Sequence, residues 1–251
     1  MLKVNNLEKH FGGVKALQGC TLEVREGSIT GLIGPNGAGK TTLFNVISGI
    51  LKPDRGEITF QGKKIDGSPP YQIARLGLLR TFQISRGLRH MTVLENLMLY
   101  PQAQIGEGLK NIWLLWKRIK TQEKVLKEKA LHILEFVNLA HLRDAYAQEL
   151  SGGQKKLLEL ARVLMAEPKI ILLDEPGAGV NPALMKDLVA RILRLKEQGM
   201  TFLLVEHDMD LVLSLCRPVI VMTQGKKLTE GSFEEIQKDP RVLEAYLGRR
   251  R

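Results

Sequence analysis

Two periodicities divide the chain. Leu2-Lys3-Val4-Asn5-Asn6-Leu7 and Thr21-Leu22-Glu23-Val24 alternate apolar with polar residues, the period of a strand with one face covered. Both predict half-exposed strands of an antiparallel flank, with Phe11-Gly12-Gly13-Val14 between them as an aromatic in a glycine-containing turn. Ser28-Ile29-Thr30-Gly31-Leu32-Ile33, Ile170-Ile171-Leu172-Leu173 and Thr201-Phe202-Leu203-Leu204-Val205 are instead continuous apolar runs, as in strands buried on both faces. Further strands are expected over 56–60, closed by the turn Gln61-Gly62, and over 78–81. Residues 219–222 and 226–229 form a hairpin across Gln224-Gly225.

Between about 92 and 150 the pattern turns helical, with no convincing strand. Thr92-Val93-Leu94-Glu95 offers a capping box, 101–108 reads as a loop, and 109–138 alternates basic and apolar residues at helical spacing. Trp113 and Trp116 stand three apart on one helix face, either covering a small subdomain's core or forming a partner-binding stripe. Leu157, Leu158, Ala161, Leu164 and Met165 share a face of a helix over 154–166. Asn181-Pro182 opens a helix that ends near Gly199, another runs over 208–216, and Ser232-Phe233-Glu234-Glu235 opens a C-terminal one. The expected architecture is an α/β core with an antiparallel β flank, made of 1–91 and 155–251, and an inserted α-helical subdomain, 92–154.

Chemistry enters at Gly34-Pro35-Asn36-Gly37-Ala38-Gly39-Lys40-Thr41, which fits the phosphate-loop pattern G-x-x-x-x-G-K-[ST] between a buried strand and a helix. Such a loop aims backbone N–H groups and a helix N-terminus at one anion, which implies a nucleoside triphosphate. Lys40 would reach the β- and γ-phosphates, and the Thr41 hydroxyl would ligate Mg²⁺. A second element is the apolar strand 170–173 ending in Asp174-Glu175, at the carboxyl end where open α/β sheets bind ligands. Asp174 would hold Mg²⁺ through its water shell, and Glu175 would position or deprotonate the attacking water. The third is Leu150-Ser151-Gly152-Gly153-Gln154 at a helix start, a second anion site suited to completing the nucleotide of another copy.

These motifs identify the chain as resembling the ATP-binding cassette family, whose signature is matched by Leu150-Ser151-Gly152-Gly153-Gln154 and whose motif order it follows over essentially its whole length. The resemblance implies a P-loop NTPase (RecA-like) core, an inserted signature subdomain, and ATP with Mg²⁺ as ligands. It assigns the phosphate loop with Thr42, and Ser151 to Gln154, to nucleotide binding, and makes Phe11 the aromatic that stacks on adenine, a core phenylalanine being the other reading. Gln83, in Arg80-Thr81-Phe82-Gln83, resembles the glutamine that contacts Mg²⁺ and the water. His207, after a buried strand, resembles the switch histidine that contacts the γ-phosphate. Thr41, Gln83 and Asp174 would then be the metal ligands; Glu175, His207 and Gln83 the catalytic groups. One departure stands out: Ala178-Gly179-Val180-Asn181 replaces the usual Ser-Ala-Leu-Asp, so Asn181 can cap the next helix but supplies no charge across a dimer interface.

Within the family, Met91-Thr92-Val93-Leu94-Glu95-Asn96-Leu97, Gly177 to Pro182 and the ending Ala245-Tyr246-Leu247-Gly248 resemble ATP-binding subunits of branched-chain amino acid importers. Urea or amide importers and the lipopolysaccharide-export ATPase share several of these phrases. The resemblance implies integral-membrane permease subunits and a second ATP-binding subunit, in a hetero- or homodimer, at the cytoplasmic face of the inner membrane.

Bulk properties change this picture little. Across 251 residues the chain is 44% hydrophobic and 25% charged, ordinary for a globular protein. The most apolar candidate span, 211–222, is interrupted by Arg217-Pro218, short of the roughly 18–20 residues that cross a bilayer. Cys20 and Cys216 lack metal-ligand spacing and read as buried, reduced thiols. The net charge of +10 raises nucleic acid or an anionic membrane face as partners, yet the basic residues are scattered except for Arg249-Arg250-Arg251. A soluble cassette ATPase acting on nucleic acid usually carries two cassettes or a long coiled coil, and this chain has one cassette and no sustained heptads, so no nucleic acid is expected. A P-loop kinase gives no reason for the signature at 150–154.

Overall fold

The computed structural model describes residues 1–81, 89–107, 113 and 115–247. In chain order they form β1 (Leu2–Phe11), β2 (Val14–Val24), β3 (Ile29–Ile33), α1 (Lys40–Ile47), β4 (Arg55–Phe60), β5 (Lys63–Lys64), α2 (Pro70–Arg75) and β6 (Leu78–Arg80). Then come α3 (Val93–Met98), α4 (Trp116–Phe136), α5 (Gly152–Met165), β7 (Ile170–Asp174), α6 (Pro182–Glu197) and β8 (Thr201–Val205). The chain closes with α7 (Met209–Leu215), β9 (Val219–Thr223), β10 (Lys226–Gly231), α8 (Phe233–Lys238) and α9 (Pro240–Leu247). Among the described residues no helix is long and apolar enough to cross a membrane.

Two compact units emerge: Met1–Arg80 with Lys169–Gly177 and Ile192–Arg251, and Thr81–Pro168 with Ala178–Arg191. The segment expected as the insert, 92–154, lies inside the second unit, which also takes in α5 and the start of α6. Packing explains the wider limits. Leu157, Leu158 and Ala161 of α5 are buried, and Gly153 sits so close to Leu184 that a Cβ there would come within 2.5 Å of the Leu184 Cδ1.

In the first unit, alternation produces the antiparallel sheet β2-β1-β4-β5. Leu2 pairs with Val24 and Phe11 with Val14, and Leu2, Val4, Leu7, Leu22 and Val24 face inward. The apolar runs produce the second sheet, β10-β9-β3-β8-β7-β6, parallel from β9 to β6 with β10 antiparallel at its edge. Two of the two-residue hairpin loops are left-handed at each position, Gln61 (φ 49) with Gly62 (φ 75) and Gln224 (φ 47) with Gly225 (φ 73), the twist that suits flanking strands. Helix α1 buries Leu43, Phe44, Val46 and Ile47 in one cluster with residues of both sheets, among them Leu7, Leu17, Leu172 and Ile220. Each such side chain contributes about 1.5–3 kcal/mol, so α1 is fixed along its length and its N-terminus is held at the carboxyl end of β3. Both cysteines are buried and free; burial pushes the Cys20 thiol up to about 11 and Cys216 up to about 12.

The second unit is helical. Thr92 and Glu95 form the expected capping box at α3. The fully buried Asn96 accepts from the Arg162 guanidinium, which also lies over the Tyr100 ring, 5.7 Å from its centroid. Ile119, Ala130 and Leu134 of α4 are buried. Trp116 opens α4 and Trp113 precedes it; they are 54% and 91% exposed, so the tryptophans do not cover a core.

Candidate functional site

The phosphate loop leaves β3 and enters α1 in a conformation that glycine alone permits at two points. Gly34 (φ +152) lies where a side chain would run into the Met222 carbonyl, and at Gly39 (φ +99) a Cβ would stand 2.5 Å from the Ala16 carbonyl oxygen. β9 and β2 therefore press the loop into shape. Helices α3, α5, α7 and α8 are capped by the side chains of Thr92, Ser151, Asp208 and Ser232, whereas α1 begins at Gly39 without a side-chain cap. Its first-turn N–H groups have no partner within the helix, the arrangement that receives an anion. Lys40 is buried, and its ammonium donates to the carbonyls of Gly34 (2.7 Å) and Pro35 (3.1 Å). Burial lowers its pKa from the ordinary lysine value, with the Glu175 carboxylate opposing that shift. Ala38 is buried, Pro35 and Thr42 half-buried, and Asn36, Gly37 and Thr41 exposed.

Asp174 ends β7, and Glu175 follows with φ 47, in the left-handed region that non-glycine residues seldom adopt. The Glu175 N–H donates to the Val205 carbonyl (2.9 Å), which docks this residue on the end of β8. His207, just beyond β8, places Nε2 3.2 Å from Glu175 Oε1. Both side chains are partly exposed, 48% for the histidine and 30% for the glutamate, so the pair is open to a ligand. The structure thus brings the phosphate loop, Lys40, Asp174, Glu175 and His207 into one unit.

Phe11 lies at the β1–β2 turn and is 46% exposed, with the Lys9 ammonium 5.7 Å from its ring centroid. The core reading of this residue is therefore corrected: its ring faces outward, because β1 has already passed its inward positions. Gln83 lies outside the described residues. Ser151, Gly152, Gly153 and Gln154 belong to the second unit. There the Ser151 hydroxyl accepts from the Gln154 N–H (3.3 Å) and the Gln154 side chain accepts from the Ser151 N–H (2.8 Å). The serine still has its hydroxyl proton to donate. Asn181 accepts from the Leu184 N–H (3.0 Å) and caps α6 as expected.

Three residues with no role assigned from sequence join the site. Arg80 donates to Asp174 Oδ2 (2.6 Å) and to Asn45 Oδ1 of α1 (2.6 Å), and its guanidinium lies over the Phe44 ring. Its register opposite Leu172 puts it on the same side of the sheet as Asp174, two residues on. An arginine closing the short apolar strand 78–80 was the available signal. Glu206 is a buried carboxylate after an apolar strand. Tyr246 of α9 lies against the Gly34 backbone, and burial raises its phenol pKa.

Arg80 and Asp174 are 8% and 11% exposed, so removing one charge leaves the other desolvated. Arg80→Met is expected to destabilise the fold by about 3–5 kcal/mol, read as a lowered urea midpoint. A midpoint at the parent value would show that Asp174 does not depend on this cation.

The donors at hand are oxygen atoms: the Thr41 hydroxyl at the start of α1 and the Asp174 carboxylate at the end of β7. Few protein oxygens beside a phosphate cradle suit a magnesium ion that shares phosphate oxygens and keeps water ligands. The site chemistry fits a nucleotide with its metal.

Comparison with known proteins agrees with this geometry. The family model described as "ABC transporter" matches residues 17–178, more than half of the chain, and the one described as "Branched-chain amino acid ATP-binding cassette transporter" matches 226–251. A probable branched-chain amino acid transport ATP-binding protein LivG of Archaeoglobus fulgidus is 47% identical, over 99% of this chain and 95% of its own. The high-affinity branched-chain amino acid transport ATP-binding protein BraF of Pseudomonas aeruginosa is 41% identical, over 99% and 98%. Among solved structures, a nucleotide-free ATP-binding cassette from an ABC transporter superposes with TM-score 0.86 at 44% identity, covering 99% of both chains. A dimeric cassette in a post-hydrolysis state, bound to ADP and Pi, superposes with TM-score 0.76 at 25% identity, covering 93% of this chain and 99% of its own. The chain belongs to the ATP-binding cassette family of ABC transporters, in the branch of the branched-chain amino acid transport ATP-binding proteins.

Proposed function

We propose that this chain is the ATP-hydrolysing subunit of a membrane importer for branched-chain or other hydrophobic amino acids. The contact between Glu175 and His207, in the unit that carries the buried Lys40, is the observation that supports hydrolysis most directly. The phosphate loop and the first turn of α1 bind the phosphates, Lys40 contacts the β- and γ-phosphates, and Phe11 stacks on the adenine. Glu175 accepts a proton from the attacking water, and His207 contacts the γ-phosphate and holds Glu175 in place. Thr41 and Asp174, with Gln83, would hold Mg²⁺, which when bound would offset the negative charge of the phosphates.

Two such subunits, alike or different, close head to tail so that Ser151, Gly152 and Gly153 of one complete the nucleotide site of the other. Closing and reopening drives integral-membrane permease subunits, with the chain peripheral at the cytoplasmic face of the inner membrane. The solute class rests on the relatives' named transport role. Purified with its membrane subunits and placed in vesicles, the protein is expected to drive ATP-dependent accumulation of leucine, isoleucine or valine. Accumulation of another solute class, with none of these, overturns the solute assignment. Salt-sensitive nucleic-acid binding without transport overturns the transporter reading.

A further inference from the structure

Glu206 is 4% exposed, and the hydrogen bonds of its carboxylate run to backbone amides. Oε1 accepts from the Gly177 N–H (2.7 Å), and Oε2 accepts from the N–H groups of His207 (3.0 Å) and Asp208 (3.4 Å). A carboxylate this deeply buried is costly unless such donors satisfy it. The donors are not a random set. Gly177 lies two residues beyond Glu175 and leads into the stretch ending at Asn181, while His207 is the residue whose ring meets Glu175. One side chain thus grips both loops that present the Glu175–His207 pair, each through its own oxygen. The docking of Glu175 N–H on the Val205 carbonyl adds a second tie between the same segments.

We propose that Glu206 is the positioning residue of the hydrolytic centre: it fixes the loop after Glu175 against the loop of His207, so that both groups meet the γ-phosphate as one unit. A shift of Gly177 is then carried to the His207 backbone through the Glu206 carboxylate. This rests on the reading of Glu175 as base and His207 as phosphate contact.

Glu206→Gln keeps the size but turns an NH2 donor toward one of the two loops, releasing it. ATP turnover of the folded variant is expected to fall on the order of 10- to 100-fold, with ATP affinity near the parent value. The decisive readout is a double-mutant cycle with His207→Ala. If Glu206 holds Glu175 and His207 as one unit, the combined loss in the double variant is smaller than the product of the two single losses. Losses that simply multiply, or unchanged turnover in folded Glu206→Gln, overturn the proposal. Should Glu206→Gln not fold, Glu206→Asp, which keeps the charge and both acceptors on a shorter stem, goes through the same cycle with the same criteria. Parent-level turnover in His207→Ala alone would instead reject the assignment of His207.

Discussion

Glu175→Gln is expected to abolish most turnover, by roughly 10²–10⁴-fold, the usual contribution of a positioned general base, while ATP still binds. The amide matches the carboxylate in size and keeps an oxygen facing His207 Nε2, now 3.2 Å from Glu175 Oε1. It cannot take a proton from water. Lys40, the phosphate loop and the uncapped start of α1 are untouched, so the binding contacts remain. A subunit pair that closes on ATP and reopens after hydrolysis then accumulates in its closed form. Gel filtration with ATP should show a dimer for the variant and a smaller, turning-over species for the parent. Normal turnover in Glu175→Gln would remove Glu175 from the mechanism, whatever the oligomeric state.

Lys40→Ala is expected to weaken ATP binding itself. Lys40 is 6% exposed and its ammonium is already held over the loop by the Gly34 and Pro35 carbonyls, so it meets an incoming phosphate with little reorganisation. Each charge-assisted hydrogen bond it makes is worth about 1.5–3 kcal/mol, or roughly 10- to 100-fold in affinity per contact. The substitution also strips two loop carbonyls of their donor, which loosens the cradle. Titration calorimetry should show the loss for ATP, with circular dichroism reporting an intact fold. Binding at the parent affinity would refute the phosphate-loop assignment.

Local chemistry was legible wherever it concerned near neighbours in the chain. The capping boxes at Thr92 and Ser232, the asparagine cap at Asn181 and the turn pairs Gln61-Gly62 and Gln224-Gly225 each depend on residues within a few positions. Alternation likewise assigns faces: Leu2 and Val4 inward, Lys3 and Asn5 outward. Periodicity names a face without naming what covers it. The outward ring of Phe11 and the exposure of Trp113 and Trp116 were therefore open until the chain was folded.

The sequence by itself determined the phosphate-loop pattern, the acids at the end of an apolar strand and the glycine signature, because each is a contiguous run whose spacing carries the pattern. Tertiary structure decided which groups share a site. Arg80 meets Asp174 across 94 positions, and Glu206 reaches Gly177 across 29. Both contacts follow from strand order and register in the parallel sheet, where β6, β7 and β8 lie side by side. A buried charge must find its partner in space, and the order of strands is set by packing over the whole core rather than by any one stretch of chain.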